Sequence, residues 1–184
     1  MERPILKPVG TPVEELDTPA LVLDLEVLKQ NIDKVHSFFQ GQTAKLRPHV
    51  ESHRCPAIAH QQLAAGGTVG GISVTTVGEA EVFAQAGISD IAIANEVVTS
   101  QKIDRLCALA HQSKITVAAD NTDNVKALSE AAQAAGVTLS VVVDIHTGLE
   151  RCGVEPGQPA VDLARTVARS QGLHFAGLMA YEGA

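Results

Sequence analysis

The segment Arg47-Pro48-His49-Val50-Glu51-Ser52-His53-Arg54 gathers five ionisable side chains within eight residues. Side chains alternate along an extended strand, which predicts Lys45, Arg47, His49, Glu51 and His53 on one face. Such a row costs free energy inside an apolar layer unless its members pair or bind something. Two chemistries fit the residue types. Arg47 with a carboxylate would make a buried structural ion pair near the barrel mouth. The His49-x-Glu51-x-His53 spacing would offer two imidazoles and a carboxylate to Zn²⁺ or Fe²⁺.

A second set of candidates sits where apolar runs end: Asn95-Glu96, Asp120-Asn121, Asp144-Ile145-His146 and Tyr181-Glu182. Arg151 lies in the short stretch Gly148-Leu149-Glu150-Arg151-Cys152-Gly153. A guanidinium there can hold a carboxylate, a phosphate or a ring nitrogen, or simply be solvated. Tyr181, the only tyrosine, either fills space at a strand end or touches a ligand. Cys55, Cys107 and Cys152 form no CxxC pair and read as reduced thiols of a cytoplasmic protein, structural in role.

These residues need a frame that brings strand ends together. Strand-length apolar runs are predicted at Ala20–Leu25, Ala44–Val50, Gly70–Val74, Ile91–Glu96, Ile115–Ala119, Leu139–Ile145 and Phe175–Tyr181. Their near-continuous apolar character is that of strands covered on both faces. Helical patterns alternate with them, the mark of parallel α/β architecture. Leu28, Ile32, Val35 and Phe39 recur at helical spacing, and Thr76-Val77-Gly78-Glu79 has capping-box spacing with Gly87 past the end. Ser100 and Thr122 are placed to cap two further helices, Gly136 to stop one, and Pro159 to open the sixth. Neither GxGxxG nor GxxxxGK[ST] occurs, so a (β/α) barrel fits better than a Rossmann or P-loop fold. A complete barrel takes about 250 residues and eight strands. The expectation is therefore a partial one, with chemistry at the C-terminal ends of its strands.

Composition limits what such a frame could serve. The 184 residues carry 14 Lys plus Arg against 21 Asp plus Glu, a net charge of −7, and 45% are hydrophobic. That is a folded domain with its own core rather than a disordered chain. The acidic balance, without a basic cluster, argues against nucleic acid or an anionic membrane as partner. No apolar run is long enough to span a bilayer, and the N-terminus has no signal-peptide pattern.

Several ordered motifs resemble the pyridoxal-phosphate enzymes of the D-threonine aldolase and D-serine dehydratase family. They are Asp17-Thr18-Pro19-Ala20-Leu21-Val22-Leu23-Asp24-Leu25, Leu46-Arg47-Pro48-His49, Val77-Gly78-Glu79-Ala80-Glu81, Ile93-Ala94-Asn95-Glu96-Val97-Val98, Arg151-Cys152-Gly153 and Gly177-Leu178-Met179-Ala180-Tyr181-Glu182-Gly183. The resemblance implies an alanine-racemase-like barrel, with residues 1–25 as an N-terminal segment whose strand belongs to a separate β domain, and 26–184 as a barrel portion of about six strands. It implies a lyase or aldolase acting on a D-amino acid with a β-hydroxyl, and pyridoxal 5'-phosphate as cofactor. Arg151 would face the cofactor's ring nitrogen, Tyr181 would lie near its ring or phosphate, and Arg47 and His49 would line the floor. A divalent metal activates the family's members, through ligands further along the chain than residue 184. Self-association, as a homodimer or in another form, is expected of a barrel with open edges. One position departs from the pattern. The residue after His49-Val50 is the family's Schiff-base lysine, and here it is Glu51. A carboxylate forms no Schiff base, and the alternative that follows is a catalytically dead binding or assembly module.

Overall fold

The computed structural model describes residues 7–183, and the strand–helix alternation read from the sequence runs through most of them. The first helix, α1 (Leu25–Phe39), starts at Asp24, whose carboxylate accepts from the backbone N–H groups of Glu26 and Val27. Then follow α2 (Pro56–Ala64), β1 (Ile72–Val74), α3 (Val77–Gln85), β2 (Asp90–Glu96), α4 (Ser100–Ala110), β3 (Lys114–Ala119), α5 (Thr122–Ala135), β4 (Leu139–Ile145), α6 (Gln158–Arg169) and β5 (Leu173–Ala180). The five strands form one parallel sheet in chain order, β1-β2-β3-β4-β5. Each neighbour is reached by a helical crossover, as parallel pairing requires.

One sheet face packs under the helices. Ile72, Val74, Ile91, Ile93, Ile115, Val117, Val141 and Val143 are buried there with Phe83, Leu106, Leu128, Leu163 and Val167 from α3 to α6. Each large side chain so buried contributes about 1.5–3 kcal/mol. The other face carries the intervening residues, among them Ala92, Thr116, Ser140, Val142 and His174, and lines an open groove of about 700 Å³.

Helix termini follow local chemistry closely. Thr76 and Glu79 form the expected capping box, and Gly136 ends α5 in the left-handed region at φ +67. Two caps sit one residue earlier than expected. Asn121, not Thr122, accepts from the Asn124 N–H at 2.8 Å, and Thr99 precedes α4, which begins at Ser100.

The expected strands differ in three places. Ala20–Leu25 is no strand: Leu21 is fully exposed, and α1 already begins at Leu25. An extended run becomes a strand only with a hydrogen-bonded neighbour, and none of the described residues supplies one. Ala44–Val50 makes only two isolated parallel bridges, Leu46 to Thr68 and His49 to Ser73. Pro48 has no N–H to give to a ladder, and residues Val50–Ser52 wind into a 3₁₀ turn. Finally, β5 is not covered on both faces, because its residues alternate between half-buried and exposed. On α1, Val35 lies half exposed while His36 is buried and bonded through Nδ1 to the Gly66 carbonyl at 2.9 Å.

Candidate functional site

Three neighbouring strands end in carboxylates on the groove side. Ala92 and Ala94 on β2, Thr116 on β3, and Ser140 and Val142 on β4 line the groove. Alternation along each strand then aims Glu96, Asp120 and Asp144 the same way at the C-terminal ends. A register shift between Ile93 and Glu96 lets β2 deliver Glu96 beside Ala118 of β3.

The loop after β4 folds back to complete the cluster. His146 N–H donates to the Val154 carbonyl and Val154 N–H to the Asp144 carbonyl, each at 2.9 Å. This reversal depends on Gly153, at φ +100, where an added Cβ would lie 2.6 Å from the His146 nitrogen. Gly153 N–H in turn donates to Asp120 Oδ2 at 3.3 Å. Cys152 is thereby brought to Glu96 and Asp120, and one ligand atom from each of the three lies within 4.8 Å of the others.

Like charges at close range shape this end of the sheet. Asp144, only 7% exposed, has its carboxyl pushed up to about 6, first by burial and then by the facing carboxylates of Glu96 and Asp120. Burial followed by contact with Glu96 also raises the Cys152 thiol. Oε1 of Glu96 is shut off from solvent and has no hydrogen-bond partner. The countercharge is Arg151, whose guanidinium sits 5.5 Å from the centre of the Tyr181 ring. Thr147 Oγ1 donates to the Tyr181 carbonyl at 2.8 Å, tying the loop to the end of β5.

The opposite end of the groove is ion-paired. Arg47 Nη1 donates to Asp90 Oδ1 at 2.7 Å and to the Ile72 carbonyl at 3.2 Å, and Lys114 Nζ reaches Asp90 Oδ2 at 3.1 Å. Burial opposes ionisation of Asp90, but hydrogen bonds and charge from Arg47 and Lys114 outweigh it and hold the carboxyl below its usual range. Arg47 is thus ion-paired, but at the N-terminal end of the sheet and partly exposed, not in the buried pair near the barrel mouth that its residue type had suggested.

His49 lines the groove as well, while Glu51 is exposed on the 3₁₀ turn. The metal reading of His49, Glu51 and His53 is overturned. The turn ends the alternation that would have aligned them. His53 is also engaged on both nitrogens: Nδ1 accepts from the Cys55 N–H at 3.0 Å and Nε2 contacts Gln62 Oε1 at 3.2 Å. Arg151, in the loop after β4, meets Tyr181 just past β5, a contact the sequence reading did not anticipate. The convergence of Glu96, Asp120 and Asp144 had a partial signal, since each follows or ends an apolar run, whereas Cys152 follows Glu150-Arg151 and carried none. Their mutual approach rests on the loop reversal at Gly153, which strand reading does not reveal.

The family model described as alanine racemase, N-terminal domain, matches residues 23–184. The chain is 41% identical to a D-threonine aldolase of an Arthrobacter species over 174 residues, covering 95% of this chain and 45% of that protein. It is 38% identical to a 3-hydroxy-D-aspartate aldolase of Paracoccus denitrificans, again over 95% of this chain and 45% of the relative. Among solved structures, D-threonine aldolase from Filomicrobium marinum superposes with a TM-score of 0.89 at 46% identity, covering 93% of this chain and 46% of that one. The chain thus spans a little under half the length of these relatives.

Proposed function

Starting from a chain that belongs to the alanine racemase N-terminal domain family, we propose that it is the barrel portion of a lyase or aldolase type of protein for D-β-hydroxy amino acids, one that has lost its covalent hold on pyridoxal phosphate. The relatives' names support the substrate class, and members of the family are pyridoxal-phosphate enzymes. The observation that carries the loss is Glu51. It occupies the position of the family's Schiff-base lysine and stands exposed on the turn beside the groove.

The residues present do not fit a covalently held cofactor. A carboxylate cannot condense with the aldehyde. The lysine in the groove, Lys114, is paired with Asp90 at the N-terminal end of the sheet, and Lys45 precedes the bridge at Leu46. Arg54 is bound to Glu79 at 3.0 Å, and its guanidinium stays protonated. The strand ends add Glu96, Asp120 and Asp144, which repel an anionic cofactor. Arg151 and Tyr181 remain placed to meet a planar, anionic or carboxylate-bearing ligand. This chain therefore retains recognition without the group that would start the chemistry.

The test is turnover. Given pyridoxal phosphate, Mn²⁺ and D-threonine, the natural sequence releases neither aldehyde, from retro-aldol cleavage, nor a 2-keto acid with ammonia, from dehydration. Release of either above the rate of free cofactor would overturn the proposal.

A further inference from the structure

We infer that the open groove face is an interface between two copies of this chain. The copies are joined about a two-fold axis with their strands antiparallel, so that the cationic end of each groove meets the carboxylate end of the other.

Exposed area is the first support. A folded monomer of this chain's mass shows about 8,400 Å² to water. This chain shows 11416 Å², roughly 3,000 Å² more than that scaling gives. Part of the excess lies along the irregular residues before α1. Another part lies in the groove, where His174, Ala176, Leu178 and Ala180 of β5 stand exposed on one face. Homodimer interfaces take upward of about 1,000 Å² from each partner, so the excess is of the size a stable dimer covers.

Shape and edge agree with a second sheet. Small side chains floor the groove, Ala92, Ala94, Ser140 and Ala176 among them, and they let another backbone come close. The outer side of β1 is partly covered through the bridge from His49 to Ser73. The outer side of β5 has no partner among the described residues. Paired antiparallel with its own copy, that edge gains a ladder from no other chain.

Charge selects the occupant and its direction. Arg47 and Lys114 share the single carboxylate of Asp90 at one end of the groove, with His174 also in the lining, which leaves this end cationic. At the other end Glu96, Asp120 and Asp144 face one guanidinium, Arg151, which is turned towards Tyr181. Antiparallel copies set unlike ends against each other twice, whereas parallel copies would set like ends together. A contact of this isologous kind uses only the surface each chain already presents. The inference rests on the groove and not on residue 51, so it and the proposed function stand or fall separately.

The natural chain is expected to reach dimer mass by sedimentation equilibrium at micromolar concentration. Leu178→Asp puts a charge into the covered strip and should raise the dissociation constant at least about tenfold. Leu178 is already exposed in the single chain, so the fold does not depend on it, and far-ultraviolet circular dichroism checks this. Val161→Asp, on α6 and outside the groove, leaves association unchanged. Lys114→Glu and Glu96→Lys each set like charges together and weaken the dimer. An equimolar mixture of these two variants regains association, because each altered end then meets an opposite charge. A monomer at every concentration would overturn the inference, as would a dimer indifferent to Leu178→Asp. Mixed variants that associate no better than either alone would overturn the antiparallel arrangement.

Discussion

Asp90 shows how one residue ties the floor of the groove together, because it meets Arg47 and Lys114 through separate oxygens. Its folded carboxyl titrates below the ordinary value of 3.8. The folded state therefore binds fewer protons than the unfolded chain in that range. The stability this confers is fully present above pH 3.8 and is lost as pH falls through the folded value. Asp90→Asn should lower stability near neutrality and flatten this acid-side loss, as read from urea midpoints at stepped pH. Gly71 permits the pair: an added Cβ would stand 2.5 Å from Arg47 Nη1 and 2.6 Å from the Asp90 carbonyl. Gly71→Ala is expected to cost about 1–3 kcal/mol, measured by the same titration. The sequence could show that Arg47 needed a carboxylate. It could not show which one, since Asp90 lies 43 positions away and only the pairing of β1 with β2 brings it near.

Among the elements, helices were the more legible because their termini are set by neighbours in the chain. The Thr76 capping box was readable to the residue, and Thr76→Ala should cost about 1 kcal/mol of thermal or urea stability. Strands depend on partners far along the chain. Ile72–Val74 became β1 because β2 lies beside it, whereas Ala20–Leu25 is more apolar yet has no strand neighbour among the described residues. The loop after β4 was the least legible element, since its course turns on the close approach of Gly153 to the Ile145 and His146 backbone. Gly153→Ala is expected to lift this loop and expose Cys152. Alkylation of Cys152 by iodoacetamide, followed by peptide mass, should then run faster than in the natural chain. An unchanged rate would contradict the role given to Gly153.

The whole molecule couples an apolar side, packed under helices, to an open groove with ion pairs at one end and carboxylates at the other. The sequence announced parallel α/β architecture, with chemistry at the strand ends, through the alternation of apolar runs and helical stripes. The open face was less legible, because Phe175 and Leu178 are as apolar as covered residues, yet Leu178 is 63% exposed. No strand among the described residues pairs the outer side of β5, and such an edge invites another. Sedimentation velocity should show concentration-dependent association, whereas a monomer throughout the micromolar range would contradict that expectation. Position 51 decides, within this frame, whether the cofactor can be held covalently. The natural chain and Glu51→Lys are incubated with pyridoxal phosphate, reduced with borohydride and mapped by peptide mass. No specific adduct is expected in the natural chain, and a stoichiometric adduct is expected on the introduced lysine. A specific adduct on any lysine of the natural chain would contradict this reading of Glu51.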